Sequence, residues 1–243
     1  MPAVSLIDPP AERVGALVRD AFVDVLGDRI DALLVHGSAV TGGYIEGYSD
    51  FDLVIFVRGG LTPADALAVQ HRLGDVDHSP FAYLQASRVI DLDAPPPEEQ
   101  RRLLIDGAYA ALVGQHPDGW PFHDAETLAE RSHEILAALP TLFDRKSRHW
   151  AVATGPRRTL EVRYHMTDLK PALRAHLVAL GEPVLEVWTA PYPELARRWT
   201  AHDPEFGERF SRLLGALPAL PDREAEVGEE MLALLEVIGD AIR

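Results

Sequence analysis

The sequence predicts an α+β protein: a small mixed β-sheet with flanking helices, followed by a C-terminal helical bundle. Three observations carry this. Two apolar runs, 31–36 and 51–57, are bounded by turn signals and flank a glycine-bearing loop, so they read as buried strands. A helix-start pattern at Thr62-Pro63-Ala64-Asp65 follows the second run, and a further strand pattern follows that helix. From Asp124 onward, apolar residues recur at helical spacing in several segments joined by short connections, the pattern of a bundle. The proline triplet Pro95-Pro96-Pro97 breaks the chain between these parts, and the expected domains are residues 1–96 and 97–243.

Each element has its own signal. Asp8-Pro9-Pro10 opens the first helix, with Val14, Leu17, Val18, Phe22, Val25 and Leu26 on one face, and Gly27-Asp28 ends it. Residues 31–36 form the first strand, and the loop from Ala39 to Ser49 carries Gly42, Gly43 and Gly47. Residues 51–57 form the second strand, ended by Arg58-Gly59-Gly60. Thr62 caps the next helix, Pro63 suits its first position, and Asp65 sits where the dipole favours a carboxylate. That helix runs to about Leu73, and the third strand is expected at Ser79–Gln85. The residue before each proline is pushed out of helix, so Asp91–Pro97 is extended or turning. Glu98 to about Gly114 reads as helix, with Leu103, Leu104, Ala108, Leu112 and Val113 inward, and Gln115–Pro121 as loop.

Asp124 caps a helix carrying Leu128, Ile135, Leu136 and Leu139, and Leu142–Ala153 reads as a second helical piece. Arg158–Leu180 is long and amphipathic, with Pro171 expected to kink it and Gly181 to close it. Glu194–Thr200 is short, Asp203-Pro204 starts a helix with Phe206, Phe210, Leu213, Leu214 and Leu217, and the last helix spans about Asp222–Ile242.

Composition narrows the function classes. The formal net charge of −15 argues against a large nucleic-acid surface, which wants a basic stripe, and is compatible with a small cationic substrate. The absence of cysteine excludes disulfides and thiolate metal sites and fits a reducing cytoplasm. Met1–Asp8 has no basic start and no long apolar run, so no signal peptide is expected, and no window reaches the apolar length that spans a bilayer. A cytoplasmic protein with no membrane or nucleic-acid partner is the expectation, and the sequence leaves its oligomeric state open.

The chemistry concentrates in Val35-His36-Gly37-Ser38 and Ser49-Asp50-Phe51-Asp52-Leu53. Residues i and i+2 of a strand point to one face, so Asp50 and Asp52 converge. Two carboxylates held that close repel unless a cation lies between them, and hard oxygen ligands suit Mg²⁺. Glycine at position 37 permits close backbone approach to an anion, and the Ser38 hydroxyl can donate to it.

These residues resemble the signature of the polymerase-β-type nucleotidyltransferases: a hydrophobic residue, Gly-Ser, a gap of about ten residues, then Asp-x-Asp. The segment from Gly37 to Asp52 is similar to the small stand-alone members, among them the aminoglycoside and lincosamide nucleotidyltransferases and the MNT proteins that accompany HEPN toxins. The resemblance implies a nucleotidyltransferase fold, with a helical second domain against which the acceptor lies. It implies transfer of a nucleoside monophosphate from a nucleoside triphosphate, ATP being the expected one, to a hydroxyl of a small molecule, with release of pyrophosphate. Asp50 and Asp52 would be the catalytic, Mg²⁺-holding residues, and Gly37, Ser38 and Ser49 would bind nucleotide, with Thr41 shaping the pocket.

The family carries a third carboxylate on the third strand. Here Ala82 occupies the expected place, with Asp77 and Asp91 as substitutes in another register and Glu161, Asp168 and Glu186 as candidates from the helical half. This departure keeps open a degenerate member that binds nucleotide or a partner without turnover, and the resemblance to the MNT proteins keeps open an enzyme that modifies a protein. Other tempting residues have ordinary readings. The histidines lack close metal spacing, so zinc is not expected, and His36 serves packing as well as it serves a nucleotide. Trp150, Trp188 and Trp199 read as core, and Arg157-Arg158 as an exposed basic pair.

Overall fold

The computed structural model describes residues 5–74 and 76–242; the signal-peptide reading therefore falls partly on Met1–Val4, outside the described residues. The chain divides into two compact units, Met1–His123 and Asp124–Arg243.

In the first unit, helix α1 (Pro9–Leu26) starts where Asp8 Oδ1 accepts the Ala11 amide at 2.9 Å. Strand β1 (Ile30–His36), the short turn of helix α2 (Ser38–Thr41), strand β2 (Phe51–Val57) and helix α3 (Pro63–Leu73) follow. Thr62 and Asp65 form a reciprocal capping box at the start of α3, as the sequence pattern requires. Strands β3 (Leu84–Asp91) and β4 (Tyr109–Val113) complete a four-stranded sheet of order β3-β2-β1-β4. β1 runs antiparallel to both β2 and β4, while β2 and β3 are parallel, which makes the sheet mixed.

The central strands are apolar over Ala32–Val35 and Leu53–Val57, where both of their faces are buried. Leu33, Val35, Leu53, Ile55 and Val57 pack with Val14, Val18 and Phe22 of α1, whereas Leu34, Val54 and Phe56 pack with Leu104, Tyr109 and Trp120. Leu17, expected on the inward face of α1, is 38% exposed.

Two expectations need correction. The third strand begins at Leu84 rather than Ser79, because β3 borders the sheet and is largely exposed, so it lacks the apolar run that marks a buried strand. The expected helix over 98–114 is a single 3₁₀ turn (Glu98–Gln100) and then β4. Its Ala-Ala-Leu-Val composition suits a helix, but β1 offers a ladder edge, and Tyr109 pairs with His36 and Ala111 with Leu34. Gly114 ends this strand at φ +62°, where a Cβ would lie 2.0 Å from the Asp31 carbonyl oxygen. The segment after the proline triplet therefore belongs to the first unit, and the division lies at 123/124 instead of the expected 96/97.

The second unit is helical: α4 (Ala125–Val152), α5 (Pro156–Ala179), α6 (Val184–Thr189), α7 (Tyr192–His202), α8 (Pro204–Ala216) and α9 (Leu220–Ile242). The two pieces expected before Ala153 are one helix that runs through Pro140. Leu139, Leu169, Leu173, Leu177, Leu195, Phe210, Leu234 and Leu235 fill its interior. Gly228 of α9 lets the Trp150 ring of α4 approach, since a Cβ there would meet it at 2.0 Å. Arg174 donates to the carbonyls of Val187 and Ala190 at the end of α6, and burial lowers its pKa to about 10. Among the described residues, no helix is long and apolar enough to cross a membrane.

Candidate functional site

The strand register brings the motif together at one edge of the sheet. β1 ends there, and β2, β3 and β4 all begin there. Asp52 pairs with His36 on one side and Gln85 on the other, and His36 pairs with Tyr109. Paired residues share a face, so Gln85, Asp52, His36 and Tyr109 form a row across the sheet, with neighbouring Cβ atoms typically about 4.5–5.5 Å apart.

Gly37 links the two halves of the motif. Its φ of 71° and ψ of −148° leave no easy place for a side chain, and a Cβ there would stand 2.9 Å from Asp52 Oδ2. The carboxylate thus lies directly against the glycine turn. Ser38 follows, 9% exposed, as the first residue of α2, and the Thr41 hydroxyl donates to the Gly37 carbonyl at 3.1 Å. Asp50 lies just before β2, and the Tyr83 hydroxyl donates to its Oδ2 at 3.4 Å.

Ser49 has a local task. Its Oγ accepts the Ile45 amide at 2.8 Å and its carbonyl accepts the Ala82 amide at 2.8 Å, tying the glycine loop to the residues before β3. Its side chain is 5% exposed.

Ala82 precedes β3 and is not on a strand. The position in register with Asp52 is Gln85, an amide rather than a carboxylate. Asp77 forms an ion pair with Arg13 at 3.2 Å and accepts the Ser79 amide at 3.0 Å. Asp91 pairs with Val57 at the far end of β3, roughly 20 Å along the strand from Gln85 at about 3.3 Å per residue. In the second unit, Glu161 pairs with Arg157, Asp168 with the buried Lys146, and Glu186 with Arg198 at 3.0 Å. Trp199 is buried as expected, whereas Trp150 and Trp188 are half-buried under Arg158 and Arg131.

Two side chains at this edge escape a motif-based reading. Ser87 donates from Oγ to the Leu53 carbonyl at 2.8 Å, so its oxygen must accept from His36 Nε2 at 2.9 Å, which fixes the protonated nitrogen of that ring. Tyr109 is buried, and burial with Asp106 nearby raises its pKa. Only the pairing of β3 and β4 with the motif strands reveals either one.

The donor set is small. Among the described residues, no group of three or more His, Asp or Glu side chains is placed to hold a metal ion. Two carboxylates at one strand start do fit Mg²⁺, which commonly takes one or two protein carboxylates and completes its shell with substrate phosphates and water. They do not fit a cation held by protein alone.

No family model matches this chain, and no curated protein matches it.

Proposed function

We propose that this chain is a Mg²⁺-dependent nucleotidyltransferase that moves a nucleoside monophosphate from a nucleoside triphosphate, ATP in the first instance, to a hydroxyl of a small acceptor. The observation that carries the reading is the contact between Gly37 and Asp52 Oδ2. It brings a glycine turn able to admit a phosphate and a carboxylate able to hold a cation to the same point. Asp50 and Asp52 would hold the cation, which when bound neutralises triphosphate charge and polarises the phosphoryl group. Gly37 admits the phosphate chain to the backbone, and Ser38 donates to it. Tyr83 orients Asp50, and Ser49 holds the loop that carries the pair. The protein's share of such chemistry is positioning and charge neutralisation.

Gln85, standing where a third acid would be, favours a second reading in which the site binds nucleotide without transferring it. One assay separates the two. The full chain is incubated with Mg²⁺ and each nucleoside triphosphate against a panel of aminoglycosides and lincosamides, and pyrophosphate is measured. Transfer predicts acceptor-dependent release that falls more than about 100-fold in Asp50→Asn, beyond the loss typical of an outer-shell partner. Saturable nucleotide binding without release for any acceptor supports the second reading.

A further inference from the structure

Ser87 is the extra residue of a β-bulge. Leu53 and Val54 are consecutive on β2, yet they pair with Ala86 and Arg88 on β3, which leaves Ser87 between two ladder positions. A bulge re-aims the side chain it carries, and bulges gather beside functional sites. Here the Ser87 hydroxyl donates to the Leu53 carbonyl at 2.8 Å and accepts from His36 Nε2 at 2.9 Å. Its two partners lie on β2 and β1, in a sheet of order β3-β2-β1-β4.

The bond to His36 therefore crosses a whole strand. β1 and β3 stand roughly 9–10 Å apart, two strand spacings. To reach Ser87, the His36 side chain lies across β2, on the face it shares with its ladder partner Asp52 and with Val54. Ser87 is level with the Leu53–Val54 step, further from the motif edge than Asp52. The ring thus passes on the inner side of Asp52. Gly37 closes the outer side, where a Cβ would stand 2.9 Å from Asp52 Oδ2. His36, Asp52 and Ser87 are all half-buried, so packing and solvent both reach this row.

We propose that Ser87 is a positioning residue of the metal-nucleotide site: by clamping the His36 ring across β2, it keeps the Asp52 carboxylate from turning inward, away from Gly37. This role rests on the reading of Asp52 as a cation-holding residue. Ser87 itself meets neither cation nor nucleotide, because its hydrogen goes to Leu53 and its oxygen accepts from His36. Without the hydroxyl, the ring loses its far anchor and the carboxylate gains rotamers. Ordering it again is then charged to each binding event. Partners one contact removed from a metal ligand typically carry about 10–100-fold in metal affinity.

The test measures Mg²⁺-ATP binding to the full chain by calorimetry, together with long-range ¹H–¹⁵N NMR of the histidine rings. His36 signals are identified by their loss in His36→Ala. The native ring should carry a proton on Nε2, and its signals should shift in Ser87→Ala and be kept in Ser87→Thr, which retains the hydroxyl. Ser87→Ala should weaken Mg²⁺-ATP about tenfold, and Ser87→Thr should restore most of the loss. His36→Ala should weaken it at least as much, and the double variant no more than His36→Ala alone, since Ser87 acts through that ring. His36→Ala carries the test if Ser87→Ala fails to fold. Native binding that is unchanged in Ser87→Ala or in His36→Ala, losses that multiply in the double variant, or a His36 ring protonated only on Nδ1 would overturn the proposal. A native chain that binds no Mg²⁺-ATP overturns the nucleotide reading itself, and this role with it, a result distinct from the others.

Discussion

At Gly37 the backbone adopts φ 71° and ψ −148°, a region that costs a side-chain-bearing residue about 1–3 kcal/mol. A methyl group there would also press on Asp52 Oδ2 at 2.9 Å. Gly37→Ala should therefore lower stability by that amount and weaken nucleotide binding by more than stability alone explains, because the displaced carboxylate is part of the proposed site. Urea denaturation and nucleotide titration on the same preparation check this. Unchanged affinity in the folded variant would show that Asp52 and the turn act separately. The glycine, Ser38 and the two aspartates are legible in the sequence because each carries a local constraint: a backbone conformation, a hydroxyl, a two-residue spacing. Gln85 and Ser87 are not, because their relevance comes from pairing with β2, a contact between distant parts of the chain.

At the scale of elements, one side chain at the start of α1 has two tasks. Asp8 Oδ1 caps the helix through the Ala11 amide at 2.9 Å, and Oδ2 accepts from the Tyr44 hydroxyl of the glycine loop at 2.8 Å. Burial raises the Tyr44 pKa, with Asp8 adding to the shift, so the phenol remains the donor. Asp8→Ala should cost roughly 1–2 kcal/mol, the loss of a cap plus a hydrogen bond, read as a lower urea midpoint at unchanged m-value. A Tyr44→Phe variant with no loss of stability would assign the whole effect to the cap. The cap was readable as Asp8-Pro9-Pro10, as were β1, β2 and α3, where pattern and burial agree. The bounds of β3 and the existence of β4 are not legible in the sequence, for opposite reasons. β3 borders the sheet with few buried side chains, and β4 is built of helix-favouring alanine and leucine yet completes the ladder of β1.

For the whole molecule, the histidines and carboxylates whose pKa values shift do so in a direction that makes acid destabilising. His116, His165 and His176 have pKa values lowered from 6.5, chiefly by burial, so the folded chain resists protons that the unfolded chain accepts. Their contribution is full above about pH 6.5 and is lost as pH falls below it. Glu194 is held at about 2 by its hydrogen bond to Arg197, with Arg198 adding to it. Burial alone would raise Glu182, but hydrogen bonds from His202 and Arg198 hold it below its ordinary value. These carboxylates add a second loss as pH falls below about 4.5. The urea midpoint should be flat from about pH 8 to 7, lower at 5.5 and lower again at 4; a rise on going to pH 5.5 would contradict the assignment. The α+β class with a helical second half was legible at this scale, because strand and helix periodicities differ over long stretches. The place of the division was not, since it depends on which sheet edge β4 joins. The central claim, that Gly37-Ser38 and the Asp50–Asp52 pair make a metal-nucleotide site, is tested most directly by calorimetric titration of ATP with and without Mg²⁺ on the native chain and Asp52→Asn. The account predicts saturable binding that requires Mg²⁺ and is lost in the variant. Binding that is indifferent to Mg²⁺ or unaltered by Asp52→Asn would contradict it.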